Sequence, residues 1–487
     1  MNAPETPDWV RDAVFVQIFP DRFAKSGSVP KPSGIKPWGD PPTNHGYQGG
    51  DLIGVLEHLD YLTDLGVNAI YFTPIFQSAS NHRYHTHDYE KVDPMLGGTE
   101  ALGRLLKETK KRGMRVVLDG VFNHASRGFL PFNDILENGK DSAYLDWFTI
   151  HGFPVHAYDG QKPNYAAWWG IPALPKFNVK CPEAREFLLD IGRRWIEFGI
   201  DGWRLDVANE IDDDDFWREF RRRVREADPQ AYIVGEVWDD AQRWLKGDMW
   251  DAVMNYQFTR ACIGYFIGDS IDEPLLKKTS LFPAGAAGAP AFAARIEQLL
   301  ARYRPEINAV MLNLLSSHDM ARFLTMARGD RSAVRLATLF QMSYLGAPSI
   351  YYGDEIGLPG AHDPDNRRAF PWHAPETWDY DLLNDFKRYI ALRHERASLR
   401  RGEYRPLLAK QGVHVHARVL GEDVVIVALN ADRSRRRVDV PVAGLLSEGA
   451  VLRQAWAPNA VKVDSGKIAS VDLPPREGRV FLSEIRR

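Results

Sequence analysis

The chain has 487 residues, 44% of them hydrophobic, and a formal net charge of −4 at pH 7. That length exceeds one ordinary core and predicts a large domain with smaller companions, while the charge balance, with no sustained basic tract, excludes a nucleic-acid surface. Only Cys181 and Cys262 are present, no apolar stretch reaches membrane-spanning length, and no basic region precedes an apolar run at the N-terminus, so the expectation is a soluble, cytoplasmic protein with neither membrane nor nucleic-acid partners.

In chain order, short runs rich in Val, Ile, Phe and Tyr predict strands at 13–19, 67–75, 115–122, 202–208, 231–238, 252–258, 310–317 and 347–355. Runs this continuously apolar suit strands covered on both faces. Between the first two, Leu52, Val55, Leu56, Leu59 and Leu62 fall at helical spacing, and Gly66 ends that helix. Further helices are predicted at 182–198 and 380–395. Strands alternating with helices pair in parallel, and eight of them predict a closed (β/α)8 TIM barrel of the α/β class.

Two stretches break the rhythm. Residues 125–178 are far longer than an ordinary connection and predict a subdomain inserted after the third strand. Beyond 400 the pattern becomes short alternating strands ("HVHARVLGEDVVIVALN", "RRVDVPV"), which predict a C-terminal β-sandwich. The expected domains are a barrel over 1–124 and 179–400, an insert over 125–178 and an all-β domain over 401–487.

In such a barrel the chemistry lies at the C-terminal strand ends. Strand three ends "VVLDGVFNH", presenting Asp119, Asn123 and His124. Strand four reads "GWRLDVANE", with Arg204 two residues before Asp206; strand five ends at Glu236, and strand seven at His318 and Asp319. One buried acid reads as a structural ion pair, but several at the same end of separate strands read as a site. Two carboxylates in different surroundings are the equipment of glycoside hydrolysis, one attacking the sugar and one protonating the leaving oxygen. Arg204 is expected to keep Asp206 ionised by depressing its pKa, and Glu236, flanked by Val237 and Trp238, is the better-placed proton donor.

The blocks "DGVFNH", "GWRLDVANE", "GEVW" and "LLSSHD" resemble, in order, the four signature regions of the α-amylase family, glycoside hydrolase family 13. The resemblance implies Asp206 as nucleophile, Glu236 as acid/base and Asp319 as transition-state stabiliser. It implies sugar contacts at Tyr84, Asn81, His124, Arg204, Glu210, Trp238, His318, Asp363 and Arg367. Within the family, "LDVANEIDDDDFWREFR", "ALPKFN", "GAPSIYYGDEIGL" and "DPDNRRAFPW" are similar to the cyclomaltodextrinase, maltogenic amylase and neopullulanase subgroup. That implies hydrolysis of α-1,4-glucosidic bonds in cyclomaltodextrins, maltodextrins and related oligosaccharides, with transglycosylation as a companion reaction. An exo-acting α-glucosidase or oligosaccharide transglycosylase is the alternative, and a non-catalytic sugar-binding relative the remote one.

Three departures from the subgroup stand out. The first barrel strand begins near Val14, where the subgroup usually carries a further N-terminal β-domain, so the expected state is a monomer or a dimer built without exchange of that domain. His85 stands where Asp is common. "DRFAKSGSVPKPSG" replaces hard oxygen ligands with lysines and prolines, so no cofactor is required and no metal ligand is assigned. Asp21 and Asp51 leave weak calcium binding open. His82, His85 and His87 read as a sugar-binding rim in preference to a metal cluster, and Trp168 and Trp169 as either a sugar platform or core.

Overall fold

The structure, a computed structural model, describes residues 5–278 and 285–484. All eight barrel strands form, each shorter than its apolar run: β1 (Phe15–Ile18), β2 (Ala69–Phe72), β3 (Arg115–Gly120), β4 (Gly202–Leu205), β5 (Tyr232–Gly235), β6 (Ala252–Val253), β7 (Leu312–Leu314) and β8 (Ala347–Tyr351). They pair in parallel in the order β6-β5-β4-β3-β2-β1-β8-β7. A parallel bridge from Met254 to Leu312 closes β6 onto β7 and leaves the barrel without an edge. The apolar residues just beyond the strands, such as Phe19, Ile75, Phe122 and Leu315, stay buried in the loops that carry the charged side chains.

Register decides which charges meet. Asp119 on β3 lies opposite Arg204 on β4, and Leu205 lies opposite Gly235 on β5. Gly202 permits this approach: a Cβ there would stand 2.3 Å from the Tyr232 carbonyl oxygen. Trp195, Trp203, Trp217 and Trp250 are fully buried, so much of the chain's tryptophan serves packing. Trp203 keeps its indole N–H satisfied by donating to the Gly192 carbonyl at 2.8 Å. The helix expected across 52–62 is two helices, Leu52–Glu57 and Leu59–Leu65, interrupted at His58, and Gly66 (φ 94°) ends the second.

Between β3 and helix Pro182–Phe198 the chain forms helix Leu130–Asn138 and folds back through antiparallel bridges that include His124–Lys176 and Ala167–Pro175. Buried Phe129, Phe132, Phe148 and Tyr165 give it an aromatic core. The bridge at His124 brings Trp168 and Trp169 back to the barrel mouth.

The C-terminal domain is antiparallel throughout: β9 (Glu403–Lys410), β10 (Val413–Leu420), β11 (Asp423–Asn430), β12 (Arg436–Pro441), β13 (Val451–Gln454), β14 (Ala460–Asp464), β15 (Lys467–Leu473) and β16 (Gly478–Ser483). Their order is β9-β10-β11-β16-β13-β14-β15-β12. Val415, Ile426, Leu452 and Phe481 belong to a core of its own. Fully buried Arg418 ties it to the barrel by donating to the Ser343 carbonyl, and also to that of Gly402, while fully buried Arg393 holds the last barrel helices together by donating to the carbonyls of Met342, Tyr344 and Leu399. Burial pulls the guanidinium pKa of Arg393 down to about 9 and that of Arg418 to about 10.

Candidate active site

Arg204 is the hub of the barrel mouth. Side chains at i and i+2 of a strand share a face, so Arg204 and Asp206 both turn inward. The Arg204 Nη1 donates to Asp119 Oδ1 (2.9 Å) and Oδ2 (3.0 Å) and to Asp206 Oδ1 (2.9 Å). Its Nη2 stands 2.8 Å from Glu236 Oε2 and 3.9 Å from Asp319 Oδ2, contacts that are ionic without an aligned hydrogen bond. Asp206, Glu236 and Asp319, which the barrel draws from β4, β5 and the loop after β7, therefore gather around one cation.

Neighbouring groups fix each acid. Glu236 accepts from the Val207 backbone N–H (2.9 Å) and the Trp238 indole N–H (3.0 Å). Trp238 thus presents its polar edge to the glutamate, where an apolar wall was expected, and its ring stacks on Tyr256 at 3.7 Å. Val207 reaches Glu236 in a left-handed conformation (φ 37°, ψ 44°), an outlier for a β-branched residue of the kind that concentrates at functional sites. Asp119 accepts from the hydroxyls of Tyr71 (2.7 Å) and Tyr84 (2.8 Å). His318 receives the Gln17 amide at Nδ1 (2.7 Å), which leaves Nε2–H to face Tyr84 and Asp319 Oδ1, the latter at 3.1 Å. The Tyr84 and His318 rings are parallel, 5.4 Å apart.

The electrostatics reverse one expectation. Burial raises the Asp206 pKa well above the ordinary carboxylate value; Arg204 pulls against this, and the charges of Glu236, Asp119 and Asp319 add to the rise. Burial, with Glu236 next, likewise lifts Asp319 to about 7. Four carboxylates share one guanidinium, so the cluster holds protons to a higher pH than isolated acids would. Burial keeps His124 (down to about 3) and His318 neutral; their Nδ1 atoms accept the Asn123 and Gln17 amides, so each ring presents Nε2–H as a donor, that of His124 without a partner among the described residues.

Around this centre the other residues divide. Arg367 donates from Nε to the His318 carbonyl (3.0 Å) and pairs with Asp363 (3.0 Å), placing both on the rim. Glu210 is exposed and pairs with Lys176 at 3.2 Å. Asn81 faces elsewhere: its amide donates to the carbonyls of Thr43, Asn44 and Gly46, so it anchors the loop that borders the cleft. His124 stacks on Trp168 (5.1 Å), which stacks on Trp169 (4.5 Å), a three-ring column running outward to a tryptophan that is 80% exposed. A groove of about 600 Å³ runs from Arg367 and Asp363 past His82, His85 and His87 to Arg127. Buried His124 Nε2, Asn123 Oδ1, Asp319 Oδ2 and Trp168 Nε1 have no hydrogen-bond partner among the described residues, a mix of donors and acceptors that suits a polyhydroxylated ligand.

Asp21 and Asp51 both have protein partners. Asp21 accepts from Arg22, Gln48 N–H and Gly49 N–H. Asp51 accepts from Gly54 N–H, from Ser26 and, at 2.9 Å, from the Lys31 ammonium, which also donates to the Met95 carbonyl. The Lys31 ammonium is thus the cation paired with Asp51. Among the described residues no three His, Cys, Asp or Glu side chains converge to hold a metal ion.

Gln17, Tyr71 and Val207 support the site without having been singled out in the sequence. Gln17 carried a readable signal, as the one polar residue in the strand "FVQI". Val207 carried none, because left-handed backbone is signalled by Gly or Asn and here falls on valine.

Comparison with known proteins agrees with this geometry. The α-amylase catalytic-domain family matches residues 17–398, and the neopullulanase-like C-terminal domain matches 404–480. The chain is 45% identical to a cyclomaltodextrinase from a Bacillus species over 434 residues, 88% of this chain and 74% of that protein. A solved Thermus thermophilus protein superposes with a TM-score of 0.94 at 45% identity, covering 98% of this chain and all of the other. The Nostoc punctiforme debranching enzyme superposes with a TM-score of 0.90 at 46% identity, covering 99% of this chain and all of its own.

Proposed function

This chain belongs to the α-amylase family of glycoside hydrolases, and we propose that it hydrolyses α-1,4-glucosidic bonds of cyclomaltodextrins and short maltodextrins with retention of anomeric configuration. The observation that carries the reading is Asp206 and Glu236 held on the two adjacent Nη atoms of Arg204, at 2.9 and 2.8 Å. Carboxylates gripped by one guanidinium lie close together, which favours the separation of about 5–5.5 Å of a retaining pair over the wider gap an inverting pair needs for water.

In this mechanism Asp206 attacks the anomeric carbon as Glu236 protonates the departing glycosidic oxygen. Glu236, now a carboxylate, then takes a proton from the water, or the sugar hydroxyl, that releases the glycosyl group from Asp206. The Val207 and Trp238 N–H groups hold Glu236 in place through both steps. Asp319, with its unpartnered Oδ2, and neutral His318 and His124 are set to bind ring hydroxyls. The cyclomaltodextrinase relative supports cyclic substrates. A second reading, preference for branched glucans, draws on the debranching enzyme matched over its whole length.

Initial rates on β-cyclodextrin, maltoheptaose, soluble starch and pullulan, with the new hemiacetal followed by proton NMR, test both. The α-anomer should appear first, and β-cyclodextrin should be cleaved faster than starch. A β-anomer would remove the retaining mechanism, and pullulan leading the series would transfer the proposal to the second reading.

A further inference from the structure

A second cleft, of about 530 Å³, lies between the barrel and the C-terminal domain, and no residue of the catalytic cluster lines it. Its walls come from helices Arg331–Ser343 and Tyr380–Glu395 and from the segments around Trp456 and Arg476. We propose that this cleft is a non-catalytic binding site for a stretch of α-glucan, with Trp456 as the surface on which a pyranose ring stacks; the ligand class rests on the function proposed above.

Trp456 is 44% exposed, although a tryptophan gains most by burial. It is also held left-handed at φ 59°, and Arg476 across the same cleft at φ 57°. Strain of that kind on a bulky residue persists only where the surroundings impose it, and it marks ligand clamps and sites. Trp169, the exposed tryptophan at the mouth of the catalytic cleft, shares both properties, with φ 50° and 80% exposure.

The ring is braced from below. The Arg388 guanidinium lies over it at 4.9 Å, and buried Tyr389 packs beside it at 5.5 Å. Arg388 is itself fixed by Asp385 at 2.8 Å. Arg388 and Tyr389 thus support the ring before any ligand arrives, and a platform already held in place costs less to bind.

The remaining walls suit a neutral polyhydroxylated chain. The cleft's cations are spent on its acids: Arg335 and Arg388 on Asp385, Arg476 on Asp330 and Arg479 on Glu477. That leaves no unpaired arginine among the described residues of its lining for an anionic ligand. Asn384 and Gln454 line the cleft with side-chain amides that make no hydrogen bond among the described residues, offering donors and acceptors to sugar hydroxyls.

The test uses the full chain carrying Asp206→Asn, to stop turnover, with fluorinated tryptophan followed by fluorine NMR during titration with maltoheptaose. Loss of single resonances in Trp456→Phe and Trp238→Phe assigns the two reporters. The Trp456 resonance should shift in a saturable manner, with a midpoint different from that of Trp238. In the otherwise wild-type enzyme, Trp456→Ala and, separately, Gln454→Ala should weaken retention on an immobilised α-glucan, by about tenfold for the tryptophan. Their turnover of maltotriose should stay within about twofold of wild type. A Trp456 signal that stays still while Trp238 saturates would overturn the proposal and leave the catalytic reading standing. If neither signal moves, the α-glucan reading falls and takes this site with it. A drop in oligomeric mass on Trp456→Ala would show the ring to be a contact between copies, and would likewise overturn the proposal.

Discussion

Asp319→Asn should make the protein more stable and nearly inactive, and the gain should depend on pH. Asp319 is lifted from 3.8 to about 7 by burial and by the charge of Glu236. A native pKa above the unfolded value means that the carboxyl contributes its full stability below about pH 4 and loses it as pH rises to about 7. At about 1.4 kcal/mol per pH unit that interval is worth at most about 4 kcal/mol. The side chain keeps 26% of its surface in water, so screening should leave about half of this, about 2 kcal/mol. Asparagine keeps the shape and carries no charge, so the variant escapes the loss. Paired thermal melts at pH 5.5 and 8 should show its advantage growing by about 1 kcal/mol between them, a degree or two in midpoint for a chain of this length. Turnover should fall by about a hundredfold or more, the scale expected when one transition-state contact is removed. An advantage that is constant with pH, or that shrinks toward pH 8, would refute the account of a crowded carboxylate cluster.

Two further expectations follow from the same cleft and its border. Glu236→Gln should retain far more activity on substrates with good leaving groups, such as aryl maltosides, than on maltodextrins, whereas Asp206→Asn should abolish both; equal losses in Glu236→Gln would deny it the acid's role. Activity and melting midpoint should survive EDTA, because Lys31 already neutralises Asp51, while Lys31→Met should cost about 3 kcal/mol by stranding a buried carboxylate; a fall in EDTA reversed by calcium would show that the lysine is not the resident cation.

The barrel was legible because its strands must be apolar on both faces, and helix Pro182–Phe198 begins and ends where proline and glycine say it should. The acids were legible for a related reason. Arg204 and Asp206 inside an apolar run have no place in a core unless they pair or react. Sequence spacing could not supply the contacts that depend on closure, because Gln17 on β1 meets His318 beyond β7 across 301 residues. Asn81 shows the opposite limit. Its position in a sugar-binding block made it a ligand candidate, but whether an amide faces the cleft or a neighbouring loop is decided by three carbonyls near residue 44, which spacing does not reveal.

The raised pKa of Asp206 could not be read from its neighbours in the chain, and the reason is arithmetic. Viewed along β4, one arginine accompanies one aspartate, and the pair predicts a depressed pKa. Viewed across the barrel, that arginine also meets Asp119 and Glu236 at 2.9 and 2.8 Å and Asp319 at 3.9 Å. The cation that looked dedicated is shared, and burial magnifies the repulsion among the acids it cannot neutralise. A glycosidase needs one acid charged and another protonated at the same moment. A cluster with fewer cations than carboxylates meets that need by keeping a proton, and Arg204 determines where the charge that remains can rest. Chemistry of this kind lies in the number of groups that converge, and convergence exists only once the barrel closes.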